Sequence, residues 1–118
     1  MKRGHNFREL KIWKEAISVV KAVYVLSSNL PDTEKYGLKS QMNRAAVSIP
    51  SNIAEGTGRT SEKEFIHFLR IAVSSSYELE TQLVLVEELF EISTEELRLK
   101  LNNLQPMIGA FIRSLKEE

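Results

Sequence analysis

Ser61-Glu62-Lys63-Glu64-Phe65-Ile66-His67-Phe68-Leu69-Arg70-Ile71-Ala72-Val73-Ser74-Ser75-Ser76-Tyr77-Glu78-Leu79-Glu80-Thr81-Gln82-Leu83-Val84-Leu85-Val86-Glu87-Glu88-Leu89-Phe90 is the stretch that decides the fold. Ser61 and Glu64 have the spacing of a capping box, in which the serine hydroxyl takes an orphan amide of the first turn and the glutamate reaches back. Beyond them Phe65, Leu69, Ala72, Ser76, Leu79, Leu83, Val86 and Phe90 recur at intervals of three and four, the period of one helix face. The pattern predicts a helix over 62–90 with one continuous seam.

Downstream, Ser93 and Glu96 repeat the box, and Leu97, Leu101, Leu104, Ile108, Phe111 and Leu115 carry a second seam through a helix over 94–116. Upstream, Gly56-Thr57-Gly58 reads as a helix stop. It closes a helix over 33–56 whose seam is Leu38, Met42, Ala46, Ile49 and Ile53. That helix opens at Asp32 or Thr33, after Leu30-Pro31, because a residue before proline is driven out of the helical region. A first helix over 7–29 is expected, with Asn6 as cap and Glu9 at its third position. Pro50 and Pro106 each delete an amide donor and crowd the carbonyl four residues back, so a kink or a division is expected at both. No alternating strand pattern competes, and short connections make sequence neighbours antiparallel. The expected fold is all-α: an antiparallel up-and-down four-helix bundle in a single domain over 1–118.

The first helix carries more apolar surface than one seam needs. Trp13, Ile17, Val20 and Tyr24 form one stripe, and Ile12, Ala16, Val19, Val23, Leu26 and Leu30 form another beside it. Ile66, Val73 and Val84 likewise lie off the main seam of the third helix. Two readings stand: a bundle helix touching two neighbours, or contact with another subunit.

Composition narrows the function. The 118 residues hold 16 basic and 16 acidic side chains and no cysteine, so thiolate metal sites and disulfides are excluded and a cytoplasmic location is expected. Charge interrupts every apolar run, so no membrane-spanning segment is expected. Zero net charge leaves nucleic-acid binding to local patches. Such a patch exists in the sequence: residues 1–21 hold six basic side chains, Lys2, Arg3, Arg8, Lys11, Lys14 and Lys21, against Glu9 and Glu15. Residues 77–97 hold seven acids and no Lys or Arg. These are solvated helix faces, or the basic end is a docking surface.

Catalytic groups are sparse. His5 falls in a segment expected to fray, and His67 reads as a surface or boundary residue. Neither sits in a triad or zinc motif, and the carboxylate pairs lack the Glu-x-x-His of di-iron bundles. No enzymatic activity and no cofactor are expected. The unusual stretch is Ser48–Ser61. Gln41, Arg44, Ser48, Asn52, Glu55 and Arg59 form a polar stripe flanking the seam. One reading is a hydrogen-bond network fixing helix register, with Arg44 or Arg70 on Glu55; unpartnered groups there would each cost about 1–3 kcal/mol. The other is an anion site built from Gly56, Gly58, Arg59 and the amides opening the third helix.

Leu30-Pro31, Tyr36-Gly37-Leu38, Gln41, Arg44-Ala45-Ala46, Ser48-Ile49, Asn52-Ile53-Ala54-Glu55-Gly56 and Gly58-Arg59 resemble the four-helix-bundle family of 23S ribosomal RNA intervening-sequence proteins. Phe65, Phe68-Leu69, Ala72, Ser75, Glu78-Leu79-Glu80 and the opening Phe7-x-x-Leu10-x-x-Trp13 continue the likeness. A relative of that family is the accessory protein of diversity-generating retroelements, a homopentameric barrel that associates with reverse transcriptase and RNA through basic surface. The resemblance implies a ring-shaped homopentamer here, acting as an interaction or scaffold protein. Its partners would be copies of itself and RNA or a nucleic-acid-processing protein. The candidate RNA or anion contacts are Lys2, Arg3, Arg8, Lys11, Lys14 and Arg59; the alternative is a purely protein-binding module.

Overall fold

The computed structural model describes residues 5–34 and 36–116. Among the described residues there are four α-helices and no strand: α1 Lys11–Ser27, α2 Leu38–Thr57, α3 Glu62–Phe90 and α4 Glu95–Lys116. α1 packs on α2, α2 on α3, α3 on α4, and α4 closes back on α1. The result is a four-helix bundle of 50 × 23 × 20 Å. At about 1.5 Å per residue, the 29 residues of α3 run most of that length, so α3 is the spine.

The core is the set of seams. Phe65, Leu69, Ala72, Ser76, Leu79, Leu83 and Val86 of α3 are buried, and Phe90 is half-buried. Met42, Ala46, Ile49 and Ile53 face them from α2, with Leu97, Leu101, Leu104, Ile108 and Leu115 from α4. Ile12, Ala16, Val19 and Val23 complete the core from α1, with Leu26 of the same stripe half-buried, so one of the two α1 stripes supplies the buried face. Trp13, Ile17 and Val20 stay half-buried, and Tyr24 is exposed.

The boundaries differ from the sequence expectation in instructive ways. Asn6 does cap, but it takes the amide of Arg8 and closes only a 3-10 turn over Phe7–Glu9. Leu10 then adopts an extended conformation (φ −73°, ψ 131°), so α1 begins at Lys11. The segment expected to open α2 at residue 33 forms a second 3-10 turn, Asp32–Glu34. α2 itself starts at Leu38, whose amide donates to Glu34 Oε1 at 3.2 Å. Both prolines lie inside continuous helices, Pro50 in α2 and Pro106 in α4, so neither divides its helix.

The stop expected at Gly56-Thr57-Gly58 is met, with Gly58 and not Gly56 as its cap. Gly56 is buried inside the last turn of α2, and Gly58 sits at φ −88°. A Cβ on Gly56 would lie 2.6 Å from Phe65 Cδ1 and 3.1 Å from Phe68 Cβ. The missing side chain therefore serves close approach of α2 to the first turn of α3. Ser61 caps α3 as expected, accepting from Glu64 N at 3.1 Å.

The second box is replaced. Glu95 opens α4, and Ser93 only accepts from Glu95 N at 3.5 Å. The working residue at this turn is Thr94, which is buried. Its amide and hydroxyl both donate to Glu87 Oε2, each at 2.8 Å. Arg98 donates to both Glu87 oxygens at 3.2 and 3.1 Å and, through Nε, to Thr94 Oγ1 at 3.1 Å. Three side chains thus pin α4 to the end of α3. The Thr94 amide, followed by its hydroxyl and Arg98, holds the Glu87 carboxyl below the usual glutamate range.

Candidate interaction surface

The outer face of α1 and the groove beside it bring together most of what the sequence offered for binding. Arg8, Lys11 and Lys14 are all exposed; Lys2 and Arg3 lie outside the described residues. Lys11 lines the groove toward α4 with Met107 and Phe111, while Trp13 packs on Phe7, ring centroids 5.3 Å apart. Trp13, Ile17 and Val20 then form one wall of an open groove of about 280 Å³, with Val47, Pro50 and Ala54 of α2 opposite. These walls are almost wholly apolar. Pro50 contributes here: with no N–H to satisfy, it presents carbon alone.

The polar stripe of α2 divides instead of forming one network. Ser48 Oγ and Ser75 Oγ share a hydrogen bond of 2.8 Å across α2 and α3. Asn52 Nδ2 donates to the Ser48 carbonyl at 2.8 Å and to its hydroxyl at 2.9 Å. Glu55 pairs with Arg59 one turn on, and not with Arg44 or Arg70. At an exposure of about half, that pair contributes little to stability. Gln41 and Arg44 are exposed at the mouth of a polar cleft of about 440 Å³ shared with Ser48, Ser75 and Glu78. Arg70 is exposed on α3 and makes no ion pair among the described residues.

The anion-site elements do not converge. Gly56 is covered by Phe65, and Ser61 already takes one of the α3 amides. The Arg59 guanidinium lies 4.5 Å above the Phe68 ring while paired with Glu55, a cation–π contact in which the charge is already engaged.

His5 does not fray. Its ring stands edge-on between Phe65 and Phe111, with centroids at 5.4 and 5.6 Å. His67 is exposed and edges onto Phe68. Among the described residues no group of three or more His, Asp or Glu could hold a metal ion, and no helix is long and apolar enough to cross a membrane.

Sequence reasoning missed the two side-chain bridges that tie α4 and its entry turn to α3. One is the Glu87–Thr94–Arg98 cluster. The other is Gln105, which donates from α4 to Ser76 Oγ and Glu80 Oε1 on α3, each at 3.1 Å. Gln105 lies beside Pro106 on the polar flank of its seam, which was the only available signal.

No curated protein matches the chain. The family model described as 23S rRNA-intervening sequence protein matches residues 8–110, from the first 3-10 turn to the penultimate turn of α4. The chain therefore belongs to the 23S rRNA-intervening sequence protein family.

Proposed function

We propose that the chain is a non-enzymatic interaction protein of the cytoplasm that assembles as a homopentamer, related to the retroelement accessory protein, and associates with RNA through the basic outer face of α1. The observation that carries the reading is the half-covered apolar wall of α1. Trp13, Ile17 and Val20 face Val47, Pro50 and Ala54 across an open groove, although the buried stripe of the same helix already completes the core. Apolar surface left open beside lysines fits a subunit contact rimmed by charge. The family's descriptive name supports an RNA connection.

Light scattering at micromolar concentration tests the assembly. A mass near five times 13.5 kDa is expected, and Ile17→Glu should lower it while leaving the helical signal intact. A monomeric wild type refutes the oligomer. RNA association is tested by titrating single-stranded RNA at several salt concentrations. Neutralising Arg8, Lys11 and Lys14 to Gln should reduce the log–log salt slope by about 2, at roughly 0.7 per contact. Capture of a protein partner unaffected by those changes, with no RNA bound at low salt, would favour a purely protein-binding module.

A further inference from the structure

The groove between α1 and α2 changes character along its length. Its stretch by Trp13 is apolar, and Val47 lines both that stretch and the next. The second stretch, about 660 Å³, is bounded by Tyr24 of α1 and by Lys39, Ser40, Asn43, Arg44 and Val47 of α2. Among the described residues no carboxylate lines it. This stands out because the same half of the bundle carries Glu87, Glu88, Glu91, Glu95 and Glu96 on α3, α4 and their turn.

Three features of the lining point to one kind of occupant. Tyr24 is 49 % exposed, an aromatic face at the groove wall on which a planar ring can stack. Arg44 is exposed, and neither it nor Lys39 makes an ion pair among the described residues. A free guanidinium fork beside an ammonium suits a phosphate, which the fork meets with two parallel hydrogen bonds. Finally, Asn43 Oδ1 is shut off from water and accepts no hydrogen bond. Asn43 lines the groove, and its amide group carries both donor and acceptor capacity for a base edge.

We propose that this groove is a nucleotide subsite, with the base on Tyr24, the phosphate on Arg44 and Lys39, and the base edge meeting Asn43. It deepens the RNA reading above and rests on it. It also moves the specific contact about 20 Å along α1 from Lys11, at 1.5 Å per residue.

Two probes separate a strand from a free nucleotide: a fluorescein-labelled single-stranded octaribonucleotide followed by anisotropy, and AMP followed by calorimetry. Tyr24→Leu and Arg44→Gln, both at exposed positions, should each weaken octaribonucleotide binding at least tenfold, while Tyr24→Phe keeps it. Binding of the strand alone assigns the groove to RNA, and binding of AMP alone to a free nucleotide; either supports the subsite. Affinity kept by Tyr24→Leu and Arg44→Gln but lost on neutralising Arg8, Lys11 and Lys14 overturns the subsite and leaves the RNA reading standing. A wild type that binds neither probe removes both. Tyr24→Leu changing the mass in light scattering and not the affinity would give the groove to a second copy of the chain and overturn the proposal.

Discussion

Adding one methyl group at Gly56 tests how α2 and α3 are held together. The Cβ of alanine would stand 2.6 Å from Phe65 Cδ1, 3.1 Å from Phe65 Cε1 and 3.1 Å from Phe68 Cβ. Ordinary contact begins near 3.4 Å, so the Phe65 ring must retreat by about 0.8 Å. It has no free space for that. Phe65 is fully buried, and its ring meets His5 at 5.4 Å and Phe111 at 5.7 Å. Overpacking of a tight core costs about 1–3 kcal/mol, and a pinned ring belongs at the upper end of that range. Against it stands the gain of roughly 1 kcal/mol from replacing a helical glycine by alanine. The net expectation is a loss of about 2 kcal/mol, which at roughly 4 °C per kcal/mol for a chain of this size lowers Tm by about 8 °C.

Thermal melts of wild type and Gly56→Ala, at one protein concentration and followed by helical circular dichroism, measure the loss. Gly58→Ala is the control, since its Cβ would meet only the Glu55 carbonyl at 3.6 Å, and it should stay within about 1 kcal/mol of wild type. Phe65→Leu removes the obstructing ring. In that background Gly56→Ala should cost at least about 1 kcal/mol less, as a coupling between touching residues. A Gly56→Ala protein that melts at or above the wild-type temperature would refute the close-approach account.

Two further perturbations read other parts of the bundle. Pro106 is exposed inside α4, so Pro106→Ala restores an amide donor without emptying the core. It should stabilise by roughly 2 kcal/mol in urea unfolding, and a lower urea midpoint would count against a proline cost in this helix. Glu87 is held below the usual glutamate range, so its contribution is whole above about pH 4.3 and is lost as pH falls through the lowered value. The gap in urea midpoint between wild type and Glu87→Gln should be widest near pH 7 and shrink as pH falls below the usual glutamate range; a gap that does not change with pH would show that the charge is not what matters.

What the sequence disclosed is what local chemistry determines. The seams of α3 and α4 were legible because three- and four-residue spacing survives any tertiary arrangement, and Ser61 because its cap closes within one turn. The starts of α1, α2 and α4 were not. Asn6 was read correctly as a capping residue, yet the extended Leu10 confines it to a 3-10 turn. At α4 the choice between Ser93 and Thr94 depends on Glu87, seven residues before the threonine. No local rule ranks one hydroxyl above its neighbour when a carboxylate on another helix decides. The same holds for the candidate surface. The double stripe of α1 was visible, but which stripe stays open follows from how α2 and α4 flank it. The expected partners of Glu55, Arg44 and Arg70, lost to Arg59 because a residue four positions on needs no tertiary fit.

The contact of His5 with Phe111 has an architectural consequence. The path of the backbone enters the bundle beside the last turns of α4, and the turn joining α2 to α3 closes that same pole. The opposite pole consists of the two remaining connections, with Thr94 clasping one of them. A load on the first pole therefore meets ring packing around Phe65, whereas a load on the second meets hydrogen bonds to a charged carboxylate.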